Sequence, residues 1–309
     1  MFNTPILFLI FNRPGQTAVT FDNIRRQQPK YLYIGADGPR ASKPTDAGLC
    51  RQCKDIVSVI DWDCEVKTLF RDENLGCGAA PASAISWFFD NVNEGIILED
   101  DCVPNDSFFG YCETLLETYR DTPIVKLICG TSYQPEPLNA DTYYFSQYPH
   151  VWGWATWKRT WDQYNFRLDG ETEATRATVI KKTFSNNRER GLWRHNMQLI
   201  VNGLDAWDYQ LMYWMWKNDG LCVVPWKNMI ANIGFGTHGT HTLDAESTQS
   251  RMAQYEISLI NHPNNIHRNK KADRFERYTI LISPAYKHYL GRFRAGIKKI
   301  KRMFVKDAR

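Results

Sequence analysis

Along the first 130 residues, short apolar runs alternate with longer stretches whose apolar positions recur every three or four residues. That is the rhythm of strands joined through helical crossovers. The runs PILFLIF, YLYIGA, EVKTLF, GIIL and VKLICG read as strands. Between them QTAVTFDNIRRQ, LCRQCKDIVSVI, ASAISWFFDNV and DSFFGYCETLLETY read as helices, the last with Pro104 and Asn105 or Asp106 as its start signals. The pattern predicts an α/β fold built on a mostly parallel central sheet flanked by helices. The second half is less regular. VWGWATWKRTW reads as a loop followed by a helix, DAWDYQLMYWMWKNDG as a helix ending at Gly220, LCVVP as a strand and NIGFGTHGTHT as a Gly-rich stretch. Neither a repeat nor a low-complexity tract nor a free linker interrupts the chain. The expected organisation is one domain over 1–283, its halves 1–130 and 131–283 sharing an interface, followed by a separate helix over 284–309.

Composition narrows the class without naming it. At 309 residues, with 43% hydrophobic and 23% charged positions, the chain has the makeup of a globular enzyme rather than of a disordered or fibrous protein. Its 11 tryptophans and 14% aromatic content exceed ordinary packing needs, and aromatic rings suit the C–H faces of sugars as well as they suit a core. The eight cysteines include a single C-x-x-C and no second pair to complete a zinc site, so they are expected to be reduced thiols of a cytosolic protein. MFNTPILFLIFNRPG lacks the basic start and cleavage site of a signal peptide and is too short to span a bilayer; a first strand is the simpler reading.

Charge gathers at the predicted strand ends. In parallel sheets ligands bind outside the carboxyl ends of the strands. Those ends carry Asn12 and Arg13, Asp37 with Gly38, Arg71 with Asn74 and Gly76, and the triplet Glu99, Asp100 and Asp101. Three adjacent carboxylates repel one another unless a cation sits among them. Mn²⁺ or Mg²⁺ takes oxygen ligands, commonly one or two carboxylates with substrate phosphates and water, so the edge reads as a site for a phosphate-bearing, metal-assisted ligand.

The segments FNRP, ADGP, ENLGCGAA, WFF and GIILEDDCVPNDSFFGYC together resemble the GT-A fold nucleotide-sugar glycosyltransferases, a Rossmann-like class, and look most like N-acetylglucosaminyltransferase I and its bacterial relatives. The likeness covers about the first 110 residues and then recurs in patches at WGWATW, WDYQ and GFGTHGTHT. It implies that Asp101 holds the metal, that Glu99 faces the ribose, that Asp100 lies near the sugar or the metal, and that Asp37 hydrogen-bonds a uracil-type base. Arg13 and Arg71 are expected near the nucleotide and its phosphates, with Asn12, Asn74 and Gly76 in the same loops. An inverting transfer needs a carboxylate base. The likeness places it in LDAWDYQ, where Asp208 fits better than Asp205, though either could instead cap the helix. His241, with His238, is a candidate to complete the metal site, and Trp152 or Trp154 to floor the acceptor site. Trp154, Trp157 and Trp161 also have helical spacing that would make them plain core.

Two features depart from that family. The membrane anchor and stem of the Golgi enzymes have no counterpart, which favours a bacterial cytosolic protein, and Ala79-Ala80-Pro81 stands where a basic or polar phosphate contact is expected. The expected activity is metal-dependent, inverting transfer from a nucleoside-diphosphate sugar, a UDP-sugar, to a glycan or lipid-linked glycan of the bacterial cell surface. The alternatives are a sugar-nucleotide pyrophosphorylase, which would need a Gly-rich basic loop after the first strand, and a non-catalytic binder of sugar nucleotide or membrane. Nucleic acid is not an expected partner. From Lys287 onward nine basic residues face one acid, leaving 29 basic against 33 acidic residues before it. Tyr286, Leu290, Phe293, Ile297, Ile300 and Phe304 fall on one helical face of that tail, which is expected either to lie on an anionic inner-membrane surface or to pack on the protein itself.

Overall fold

The computed structural model describes residues 2–235 and 248–282. His238, His241 and the basic tail lie outside the described residues. Among the described residues, ten strands and nine α-helices form an eight-stranded sheet, a two-stranded ribbon and the helices around them. The order in the chain is β1 (Ile6–Ile10), α1 (Pro14–Gln27), β2 (Tyr31–Ala36), α2 (Asp46–Ser58), β3 (Glu65–Phe70), α3 (Gly76–Phe89), β4 (Glu94–Glu99) and β5 (Cys102–Pro104). It continues through α4 (Asp106–Tyr119), β6 (Val125–Cys129), β7 (Tyr143–Ser146), β8 (Trp154–Trp157), the one-turn α5 (Lys158–Trp161), α6 (Glu173–Thr183) and α7 (Asn187–Val201). Last come α8 (Asp208–Lys217), β9 (Leu221–Pro225), β10 (Ile230–Asn232) and α9 (Lys270–Glu276).

The sheet order is β3-β2-β1-β4-β8-β6-β9-β7. β8 and β7 pair antiparallel with their neighbours and the other six strands run one way, so the expected mostly parallel α/β sheet is what the chain forms. Each central strand buries both faces, and alternate residues divide between two cores. Leu7 and Leu9 of β1 face a core closed by α3, α6, α7, α8 and α9, through residues such as Ile85, Ile180, Trp193, Leu211 and Ala272. Ile6, Phe8 and Ile10 face the other, closed by α1, α2 and α4 through Phe21, Ile24, Val57, Phe108 and Leu116. Period-two alternation in a strand covered on both sides therefore appears as an unbroken apolar run.

Local signals set the helix starts. Pro14 opens α1, where its missing N–H costs nothing, and the Asn105 side chain caps α4 by accepting from Phe108 N. The helix placed at ASAISWFFDNV begins earlier, at Gly76, so Ala79-Ala80-Pro81 is helix rather than loop. The largest departure is WGWATW: residues 154–157 form a strand between β4 and β6, not a loop, and the helix after it is a single turn. Trp154 and Trp157 consequently belong to opposite cores instead of one helical stripe. Buried ion pairs fasten the α9 region: Arg268 to Asp273, which also accepts from Ser146 Oγ at 2.6 Å, and Arg277 to Glu189 of α7. Among the described residues no helix is long and apolar enough to cross a membrane.

Candidate functional site

The carboxyl ends of β1, β2, β3 and β4 open onto one edge of the sheet, and the chain turns there four times. β4 is paired with β8 as far as Ile97 and with β1 as far as Glu99, so Glu99 is where it leaves the sheet and Asp100 and Asp101 form the turn into β5. β5 pairs with β10, with Asn232 opposite Cys102. That small ribbon, Ile233 N donating to Asp101 O at 2.8 Å and Thr20 Oγ1 donating to Asp100 O at 2.8 Å hold the acidic turn in place. Gly234 follows immediately, and a Cβ there would run into the Asp101 carboxylate. A side chain there would have to push that carboxylate aside.

The cation among the carboxylates is Arg13. Standing just ahead of α1, its Nη1 lies 2.6 Å from Asp101 Oδ2 and 3.6 Å from Asp100 Oδ1. Burial works against the guanidinium's charge, but Asp100 and Asp101 more than offset it and hold its pKa above the usual arginine value. Burial, then repulsion from Asp101 and Asp100, pushes the half-buried Glu99 up to about 8. Asp100, 3% exposed, is pushed up to about 7 by burial, which Arg13 counters in part. Its Oδ2 is buried without a hydrogen-bond partner. A divalent cation fits these donors: Asp101 and the orphaned Asp100 oxygen are hard ligands of the kind Mg²⁺ and Mn²⁺ take. Among the described residues no three metal-ligating side chains converge.

Asp208 begins α8. Its charge adds to the upward push on Glu99, and adds to burial in raising Tyr164 and Tyr209, so it lies within electrostatic reach of all three. Asp205 does something else. Its Oδ2 accepts from Cys77 N at 2.9 Å and its Oδ1 from Gly78 N at 2.7 Å, so it caps α3 from 128 residues away. Gly76, with φ of 88°, brings the backbone so close that any side chain would meet that carboxylate. The sequence reading set both acids at one helix start; the structure gives each a different helix.

Asp37 is a fastener as well. It accepts from Gly38 N at 2.9 Å, Asn74 Nδ2 at 2.8 Å, Leu75 N at 3.0 Å and Gly76 N at 3.2 Å, tying the end of β2 to the loop before α3. Asn12 Nδ2 donates to Asp46 at 2.9 Å, and Asp46, gripped by Arg40, has its pKa held down to about 2. Arg40 lies 5.2 Å over the Phe11 ring, so Phe11, Asn12 and Arg40 form one wall beside Arg13. Arg71 donates to Ser83 Oγ at 2.8 Å rather than pairing with Asp72 or Glu73. Trp154 is fully buried and stacks on Trp207 at 5.7 Å, which makes it core and gives a ligand no surface. Trp152 is half-buried and meets Phe235 and Tyr133 edge-on at 5.6 and 6.2 Å, forming an aromatic wall past Asp101.

Sequence reasoning missed a buried pair behind that wall. His150 Nε2 lies 3.3 Å from Glu276, and Tyr133 packs edge-on against the imidazole at 4.8 Å. Burial opposes the imidazolium, yet Glu276 prevails and raises His150 to about 8. The partners are 126 residues apart, so no spacing could have disclosed them. A cleft of about 390 Å³ opens on the other side of Tyr133, lined by Gln134, Trp226, Asn228, Met252 and Tyr255.

The geometry defines a site on a Rossmann-like α/β sheet, at the edge where such folds hold ligands. No known protein-family profile matches the chain, and no curated protein does. Among solved structures, HddC from Yersinia pseudotuberculosis complexed with GMP-PN is similar at 12% identity, over 55% of this chain and 85% of that one, with a TM-score of 0.33. A UDP-glucose pyrophosphorylase complexed with UDP-glucose is similar at 7% identity over 52% of this chain and 78% of that one, with a TM-score of 0.30.

Proposed function

We propose that the protein is a metal-dependent, inverting glycosyltransferase that moves a sugar from a nucleoside-diphosphate donor, a UDP-sugar, to a glycan or lipid-linked glycan acceptor. What supports this reading is the pairing of Arg13 with Asp101 next to Glu99 at the carboxyl end of β4, together with the charge of Asp208 acting on Glu99. Asp208 takes the proton of the acceptor hydroxyl as that oxygen bonds to the anomeric carbon and the carbon–phosphate-oxygen bond breaks. Glu99 and Asp100 line the sugar and ribose side, and Arg13 and Asn12 the diphosphate side. Asp101, with Asp100 beside it, would hold a divalent cation, which when bound would neutralise charge on the departing diphosphate. Trp152 and Phe235 offer aromatic faces to the acceptor's C–H surface.

The pyrophosphorylase alternative has less support, because the chain passes from β1 into α1 through Phe11, Asn12 and Arg13, with no Gly-rich phosphate loop. A panel of nucleotide sugars incubated with Mn²⁺ tests the proposal. Release of free nucleoside diphosphate is the expected product. Formation of a nucleoside triphosphate when pyrophosphate is added would support the pyrophosphorylase instead, and binding without turnover the non-catalytic reading.

A further inference from the structure

The carboxyl edge of the sheet continues past the acidic triplet. β8 runs antiparallel to both β4 and β6, and β9 runs parallel to β6, so β4, β6 and β9 all end at one edge. In the strand order β6 stands two places from β4 and β9 three, about 10 and 14 Å along that edge. The loops leaving β6 and β9 are joined there: Met229 N donates to Gly130 O at 3.0 Å and Ser132 N to Asn228 Oδ1 at 3.3 Å. Residues of both loops line the cleft of about 390 Å³ beside Tyr133. A chain of rings connects that cleft to the triplet. Tyr133 meets Trp152 at 6.2 Å, Trp152 meets Phe235 at 5.6 Å, and Phe235 follows Gly234, the residue that abuts Asp101.

We infer that this cleft binds a neutral glycan, the body of the acceptor whose reacting hydroxyl lies at the triplet. The lining selects that chemistry. Tyr133, Trp226 and Tyr255 bring aromatic rings, and Tyr255 is 49% exposed with Lys227 over its ring at 5.5 Å. Such rings pack on the C–H faces of sugars. Gln134 and Gln249 add primary amides, which both donate to and accept from hydroxyls. An apolar ligand would cover them without replacing the water they lose. Among the described residues the only charges in the lining are Glu136 and Lys227, one of each sign, so nothing favours a polyanion or a polycation. An extended peptide would pair with an open strand edge, yet β6 lies between β8 and β9, and β9 between β6 and β7. An uncharged, hydroxyl-rich chain with apolar faces suits this lining. That the glycan is the acceptor rests on the transfer proposed above; that a glycan binds here does not.

The test is calorimetric titration of neutral tetrasaccharides of glucose, galactose and N-acetylglucosamine into the full-length protein, with neither nucleotide sugar nor divalent metal present. The proteins compared are wild type, Tyr255→Ala, Tyr255→Phe, Gln249→Ala and Asp101→Asn. At least one tetrasaccharide should bind wild type. Tyr255→Ala should weaken that binding about tenfold or more and Gln249→Ala about threefold or more, while Tyr255→Phe, which keeps the ring, and Asp101→Asn should match wild type. Thermal unfolding of Tyr255→Ala should be unchanged, because the hydrogen bonds at this position, from Tyr255 N to Asn228 O and from Asn105 Nδ2 to Tyr255 O, use its backbone. Absence of binding by wild type would overturn the inference, as would equal binding by wild type, Tyr255→Ala and Gln249→Ala. Binding lost in Asp101→Asn but kept in Tyr255→Ala would move the glycan to the triplet and overturn it too. Tetrasaccharide binding through Tyr255 in a protein that turns over no nucleotide sugar would uphold the cleft and remove the transfer.

Discussion

Arg13 and Asp101 set the electrostatics of the cleft between them. A guanidinium that fills the place of a bound cation keeps three adjacent acids compatible with a folded, ligand-free protein. Arg13→Ala should therefore lower the melting temperature, since unpairing buried charges costs about 3–5 kcal/mol and these are partly exposed, so the loss should fall below that range. Millimolar Mn²⁺ should restore part of it; an unchanged melting temperature with and without the metal would show that Arg13 is not the stand-in. The two acids of LDAWDYQ separate cleanly. Asp208→Asn should reduce turnover by roughly 100- to 10,000-fold with donor binding preserved. Asp205→Asn should instead cost about 1 kcal/mol of stability, as loss of a helix cap does, with a much smaller effect on turnover. The reverse assignment of effects, measured by initial rates and thermal melts, would exchange their roles.

At the scale of elements, His150 and Glu276 couple β8's approach to α9. A histidine raised above its unfolded value of about 6.5 contributes stability that is fully present below that pH and lost as pH rises through its folded value. With His150 raised to about 8 by Glu276, against burial, and with Cys129 and Asp273 also facing it, the melting temperature should fall between pH 6.5 and 8.5. Glu276→Gln should remove most of that slope; an identical slope in the variant would break the link. How much of this was legible in the sequence follows from pattern length. β1 to β4 and α1 to α4 could be read because each apolar run or helical stripe is bounded by polar loops. β8 could not: all four of its residues are buried between two neighbours, and the three-residue spacing of Trp154 and Trp157 imitates a helix turn. β5 and β10 are three residues each, too short for a period to register. The acidic triplet and Arg13 were visible because they stand at strand ends. The fastening roles of Asp37 and Asp205 were not, since the donors that define them include backbone groups far away in the chain.

At the scale of the molecule, one sheet joins the two halves of the chain, because β8 inserts between β4 and β6. The triplet at the end of β4 and the aromatic wall ahead of β8 are thus neighbours by strand pairing, with Ile97 opposite Trp154. A donor held by one half and an acceptor held by the other would meet at that seam. The most direct measurement of the central claim is calorimetric titration of a UDP-sugar panel into wild type and Asp101→Asn, with and without Mn²⁺. At least one donor should bind wild type tenfold or more tightly with Mn²⁺ than without it, and Asp101→Asn should lose that enhancement while keeping its melting temperature. Metal-independent binding that survives Asp101→Asn unchanged, or no binding of any nucleotide sugar, would contradict the assignment of this sheet edge as a cation-assisted nucleotide-sugar site.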